Sequence, residues 1–119
     1  MSSKMSGDCL FCKIIAGEIP ANKVYEDTDV LAFHDISPAA PTHILIIPKK
    51  HITAVKDAEP GDAGLLGEML TKAGTIAREQ GLEEDGYRFV INTGNKGGQT
   101  VFHLHLHILG GRQMTWPPG

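Results

Sequence analysis

Val101-Phe102-His103-Leu104-His105-Leu106-His107-Ile108-Leu109 puts histidine at 103, 105 and 107 and apolar residues at the positions between. Successive side chains of a β-strand point to opposite faces, so this alternation predicts a strand over 101–109. Phe102, Leu104, Leu106 and Ile108 would form a buried row. The other face would carry three imidazoles about 6.5 Å apart, given a strand rise of ~3.3 Å per residue. Half of the chain's six histidines would then share one face. That is a costly way to build a core, because imidazole is polar and titrates near neutrality. The stretch reads as an active-site wall.

Two chemistries fit such a wall. Neighbouring same-face imidazoles can reach one metal ion. Alternatively, one imidazole is a nucleophile or general acid and the others tune it. Immediately upstream lies Thr93-Gly94-Asn95-Lys96-Gly97-Gly98-Gln99-Thr100. Its glycines would let backbone N–H groups approach an anion, with Gln99 and Thr100 as further donors. A phosphate beside imidazole favours the second chemistry, through a phosphohistidine-type intermediate that water then hydrolyses. His43 either completes the cluster or is a partly buried residue bonded to a loop.

Outward from this centre, the chain alternates between strand and helix signals without a regular βαβ rhythm. Asp8 can cap a short helix carrying Leu10, Phe11, Ile14 and Ile15, with Gly17 as its stop. Lys23 to Glu26 and Val30 to His34 flank Asp27-Thr28-Asp29 and predict a hairpin. Thr42 to Pro48 is an apolar run short enough for a central strand. Pro60 to Gln80 predicts one long helix with a stripe of Leu65, Leu66, Met69, Leu70, Ala73, Ile76 and Ala77, stopped by Gly81. Tyr87 to Asn92 predicts a fourth strand. Together these give an α+β domain with a mainly antiparallel sheet and two helices.

A chain of 119 residues, 41% hydrophobic and 21% charged, has room for one domain and one modest core. Residues 1–7 read as a frayed tail and residues 8–119 as that domain. A net charge of −3 gives no sign of a nucleic-acid-binding surface. No apolar run approaches the ~20 residues of a membrane helix, and the first residues lack a signal-peptide core. Two cysteines three apart make no secreted disulfide framework. The expected compartment is the cytoplasm.

The motif His103-Leu104-His105-Leu106-His107-Ile108-Leu109 resembles the histidine triad superfamily, specifically its nucleotide-binding (Hint) branch. The similarity extends over Phe33-His34-Asp35-Ile36-Ser37-Pro38, Ala40-Pro41-Thr42-His43, Ile47-Pro48-Lys49-Lys50-His51 and Gly97-Gly98-Gln99-Thr100. The ending Trp116-Pro117-Pro118-Gly119 separates this branch from dinucleotide hydrolases with the same triad. The resemblance implies a five-stranded antiparallel sheet with two helices, paired into a homodimer with a ten-stranded sheet. It implies release of an amine from a purine nucleoside 5′-phosphoramidate, leaving the nucleoside monophosphate.

By the same resemblance His105 is the nucleophile, and His107 and His43 serve the phosphate and the leaving group's proton. Asn92, Gly98, Gln99 and Thr100 would surround the phosphate and ribose, with Thr100 counted in the catalytic set. Asp35 would accept from the ribose hydroxyls. Phe11, Ile14, Phe33, Ile36 and Leu45 would sandwich the base, and Trp116 would reach the partner's site and select substrate. No Mg²⁺ cluster is evident, and the reaction requires none. Hydrolysis of dinucleoside polyphosphates is an alternative activity. So is a nucleotide-binding regulatory or scaffold role with incidental hydrolysis.

Cys9 and Cys12 stand at a helix start with spacing suited to two thiolates on one Zn²⁺. His51 has no catalytic assignment, and His103 is the triad member least needed for chemistry. The four would make a closed structural zinc site, similar to one in some bacterial members of the superfamily. Two small buried thiols are the plainer alternative.

Overall fold

The computed structural model describes residues 9–119. The expected tail at 1–7 and the expected Asp8 cap lie outside them. Helix α1 spans Leu10–Ile15, and Cys9 is its N-cap, its sulfur accepting from the Cys12 N–H at 3.2 Å. Strands β1 (Lys23–Glu26) and β2 (Val30–His34) form the expected hairpin. Asp27 makes its turn, with Oδ1 accepting from the N–H groups of Asp29 and Val30 at 2.8 and 2.9 Å. Strand β3 is Thr42–Pro48. The expected long helix divides into a 3₁₀ turn at Pro60–Asp62 and α2 at Ala63–Glu79, and Gly81 follows at φ +76°. Strand β4 is Tyr87–Val90, a one-turn helix α3 is Gly94–Gly97, and β5 is Leu106–Gly110.

The five strands form one antiparallel sheet in the order β1-β2-β3-β5-β4. Side-chain parity divides the core in two. Val30, Ala32, Ile44, Ile46, Leu106 and Ile108 pack towards Met69, Ala73, Ile76 and Ala77 of α2. Leu31, Phe33, Leu45 and Ile47 pack with Cys9, Phe11, Cys12 and Ile14 at α1. Central β3 serves both clusters, and truncating fully buried Ile46 to Ala would cost roughly 2–5 kcal/mol.

Two expectations need correction. Leu70, placed in the apolar stripe of α2, is 49% exposed, so the stripe narrows to the residues facing the sheet. The histidine segment is a strand only from Leu106. Before it, the Leu104 N–H donates to the Ile52 carbonyl at 2.6 Å, and the His103 carbonyl accepts from the ring of His105 at 2.7 Å. Those bonds take the groups a ladder would use. Phe102 is 43% exposed rather than part of the buried row.

Candidate active site and metal site

Parity still sends the histidines to one side of the sheet. Leu106 and Ile108 face α2, so His107 faces α1, where β3 contributes His43 through the same alternation. The three triad rings nevertheless divide among different partners. His103 turns to the thiols of Cys9 and Cys12, while the His107 Nδ1 lies 2.9 Å from the His43 Nε2. His105 stands between them, packed edge-on against Phe11 with ring centroids 5.1 Å apart. One ion shared by 103, 105 and 107 is therefore excluded by geometry.

Backbone groups fix the tautomers. A carbonyl only accepts, so His105 must donate from Nδ1 to the His103 carbonyl, which leaves its Nε2 with a free lone pair. The N–H of Ala39 only donates, and it meets the His43 Nδ1 at 2.9 Å. The proton of neutral His43 therefore sits on Nε2 and is donated to the His107 Nδ1. The proton of His107 is left on its own Nε2. The Asp35 Oδ2, 3.5 Å from the His43 Nε2, adds a negative charge beside this pair. Asp35, His43 and His107 are close enough to hold a metal, but an Nε2 that carries a proton is no ligand.

Burial holds these rings neutral. It lowers the pKa of His43 against the pull of Asp35, and it lowers that of His105. His107 falls to about 4, through burial first and then its neighbours His105 and His43.

Beside the rings lies a groove of about 280 Å³. The five residues expected to sandwich a base, Phe11, Ile14, Phe33, Ile36 and Leu45, all line it, with Asp35 and Thr100. Ile36 is 98% exposed at its rim. Ile19, Pro20, Ala21 and Asn22 also line the groove. They belong to the linker that follows Gly17, and no local pattern reveals which wall a linker will form.

The glycine-rich loop differs from the expected open cradle. The N–H groups of Gly98 and Gln99 are spent on the carbonyls of Asn95 and Gly94, closing α3. Gln99 is buried and braces the loop: its amide donates to the carbonyls of Thr53 and Val101 and accepts from the Gly94 N–H. It offers no free side-chain donor to a phosphate. Half-buried Asn92 lies under Gly98, while Thr100 is exposed. Trp116 is 80% exposed, with the Arg88 guanidinium 6.0 Å from its ring centroid.

A second cluster lies across α1 from the groove. Cys9 Sγ and Cys12 Sγ are 3.3 and 3.6 Å from the His103 Nδ1, Cys12 Sγ is 3.3 Å from the His51 Nδ1, and the two Nδ1 atoms are 3.1 Å apart. A tetrahedral zinc with ordinary bond lengths would need edges of about 3.3 Å between nitrogens and about 3.6 Å between nitrogen and sulfur. The residues fit such an ion. The His103 Nε2–H donates to the Pro48 carbonyl at 2.8 Å, which leaves Nδ1 unprotonated and aimed at the cluster.

Imidazoles with fixed tautomers beside an apolar groove define a histidine-dependent site. The model of the HIT domain matches residues 16–114, and the chain belongs to that family. A HIT family hydrolase from Legionella pneumophila is 59% identical, covering 94% of this chain and 100% of its own, with a TM-score of 0.93. A histidine triad nucleotide-binding protein from Candida albicans is 34% identical over 92% of this chain and 83% of its own, with a TM-score of 0.80. A 14 kDa zinc-binding protein of Zea mays is 56% identical over 92% of this chain and 87% of its own.

Proposed function

We propose that this chain hydrolyses purine nucleoside 5′-phosphoramidates to the nucleoside monophosphate and an amine, through a nucleotidyl intermediate on His105. The tautomer set carries the reading: an imidazole with a free Nε2 lone pair beside another whose Nε2 bears a proton. The names of the Legionella and Candida relatives support hydrolysis and a nucleotide.

The base lies between Phe11, Ile14, Phe33, Ile36 and Leu45, and the Asp35 carboxylate accepts from the ribose hydroxyls. Asn92, Gly98 and Thr100 border the phosphate, and Gln99 acts through the loop it braces. The His105 Nε2 attacks phosphorus as the bond to nitrogen breaks; the departing amine takes the proton from the His107 Nε2, and a proton taken up from solvent keeps the His43–His107 pair neutral. Water then attacks phosphorus, passes its proton through His107 to solvent and releases His105. Neutral donors held in place stabilise the charge on phosphorus.

Cys9, Cys12, His51 and His103 hold a zinc ion in this reading, and the maize relative's name supports the metal. Filled by four protein ligands, it is structural and offers no open position to substrate. Two free thiols suit a cytoplasmic protein. The unpaired edge of β4 would join two copies into one ten-stranded sheet, bringing each Trp116 to the partner's leaving group.

The test is a panel of adenosine phosphoramidates, acyl-adenylates and diadenosine polyphosphates with parent and His105→Ala protein. The parent should prefer phosphoramidates. The variant should lose turnover while still binding AMP. Preference for diadenosine polyphosphates, or a variant within a few-fold of the parent, would refute the assignment.

A further inference from the structure

The tautomer chain begins at a backbone N–H, and Ala39, which carries it, lies in a loop with few ties of its own. Among the described residues, the Asp35 N–H donates to the His43 carbonyl and the Ser37 N–H to the Asp35 Oδ1. Pro38 and Pro41 have no N–H to give. The remaining tie comes from the other end of the chain. Arg112 directs both Nε and Nη2 at the Ala39 carbonyl, at 3.2 and 3.1 Å, and Nη1 at the Gln113 carbonyl.

Arg112 is exposed, yet its guanidinium forms no salt bridge among the described residues. An arginine fork spent wholly on carbonyls holds backbone in place rather than balancing charge. Gly111 reinforces the grip. Its φ of +94° and its approach to Pro41, where a Cβ would stand 2.8 Å from the proline Cβ, press the same loop from the C-terminal side.

We propose that Arg112 is a positioning residue for protonation of the leaving group: by holding Ala39, it keeps the proton of His43 on Nε2 and that of His107 on the Nε2 facing the substrate. This rests on the phosphoramidate reading. If Ala39 swings away, the His43 Nδ1 loses its donor and can take the proton itself. The His43 Nε2 then accepts, the proton of His107 moves to Nδ1, and the donor facing the leaving group becomes an acceptor. Attack by His105 is untouched, because its tautomer is set by the His103 carbonyl. The defect belongs to leaving groups that need a proton.

The experiment compares parent, Arg112→Gln and Arg112→Lys on two substrates, an alkylamine phosphoramidate of AMP and the p-nitrophenyl ester of AMP. The p-nitrophenolate departs without protonation, whereas the alkylamine does not. Arg112→Gln should lower the ratio of kcat/KM on the amide to that on the ester by about tenfold or more, within the range of general acid catalysis. Arg112→Lys, which offers one donor to the carbonyl, should recover part of that ratio. Imidazole nitrogen NMR reads the cause directly: the parent should show His43 with a bare Nδ1 and a protonated Nε2, and Arg112→Gln a mixed or reversed pattern. Equal losses on both substrates, or an unchanged His43 spectrum in folded Arg112→Gln, would overturn the proposal. If Arg112→Gln fails to fold, the same two readouts on Arg112→Lys decide. A parent inert towards both substrates would refute the phosphoramidate reading alone, and the His43 spectrum would still decide whether Arg112 acts as the clamp.

Discussion

Two rings at the site are each defined by the one backbone group they face, a carbonyl for His105 and an N–H for His43, and His107 takes its tautomer from His43. This has a pH consequence. His43 and His107 both titrate below the ordinary 6.5, His107 at about 4, chiefly because burial penalises the charged ring. The neutral pair should persist below the ordinary imidazole value, so kcat/KM should stay flat as pH falls from neutrality through 6.5. A loss of half the activity near pH 6.5 would contradict these assignments. Stability follows the opposite logic. Below 6.5 the unfolded chain takes up protons that the folded rings refuse. Their contribution is thus complete above 6.5 and is lost as pH falls towards about 4. Melting temperature should decline over that window, and His107→Gln should flatten the decline.

Glycine 111 supplies another prediction at this scale. Gly111→Ala puts a Cβ against Pro41 at a φ that L-residues rarely adopt. It should cost roughly 1–3 kcal/mol, read by denaturant unfolding. An unchanged midpoint would show that the loop yields freely.

Among the elements, those governed by one period were legible in the sequence. The β1–β2 hairpin and β3 fall where alternation and turn chemistry put them, and α2 follows its apolar spacing. The start of β5 was not legible. Alternation continues through His103 and His105 although the backbone has left the ladder there, because pattern records which face a side chain takes and not where its carbonyl bonds. Helix α3 was hidden as well, since a single turn bounded by glycines has no helical composition to detect. The groups that select tautomers, at Ala39 and His103, are backbone atoms and carry no residue signature. The cysteines were legible as a pair by spacing, and the packing of α1 brings them to His51 and His103, the two histidines expected to join them.

Zinc belongs to that same scale. Without metal, burial and then the neighbouring Cys9 push the Cys12 thiol up to about 12, so zinc uptake must release protons and weaken as pH falls. Protein purified without added metal should carry stoichiometric zinc. Cys9→Ser/Cys12→Ser should lose it, melt at lower temperature and bind AMP more weakly, because Phe11 and Ile14 of α1 wall the groove. Metal-free parent protein, or a double variant that melts like the parent, would leave the thiols as packing residues.

At the scale of the whole molecule, the sheet separates two functions. The α2 face is continuous apolar core, and the α1 face carries the groove, the imidazoles and the thiols. Strand β4 ends the sheet with exposed Tyr87 upon it and exposed Ile91 just beyond. Light scattering should find twice the 12.8 kDa chain mass in solution. A monomer at micromolar concentration would remove the partner from the account of Trp116. The central claim, nucleotide transfer to His105, is tested most directly by mixing enzyme with an adenosine phosphoramidate, quenching under denaturing alkaline conditions within a turnover, and mapping the peptides by mass. The account predicts one adenylyl group on His105, transient in the parent and absent from His105→Ala. AMP formed with no adduct at any time, or an adduct on another residue, would contradict it.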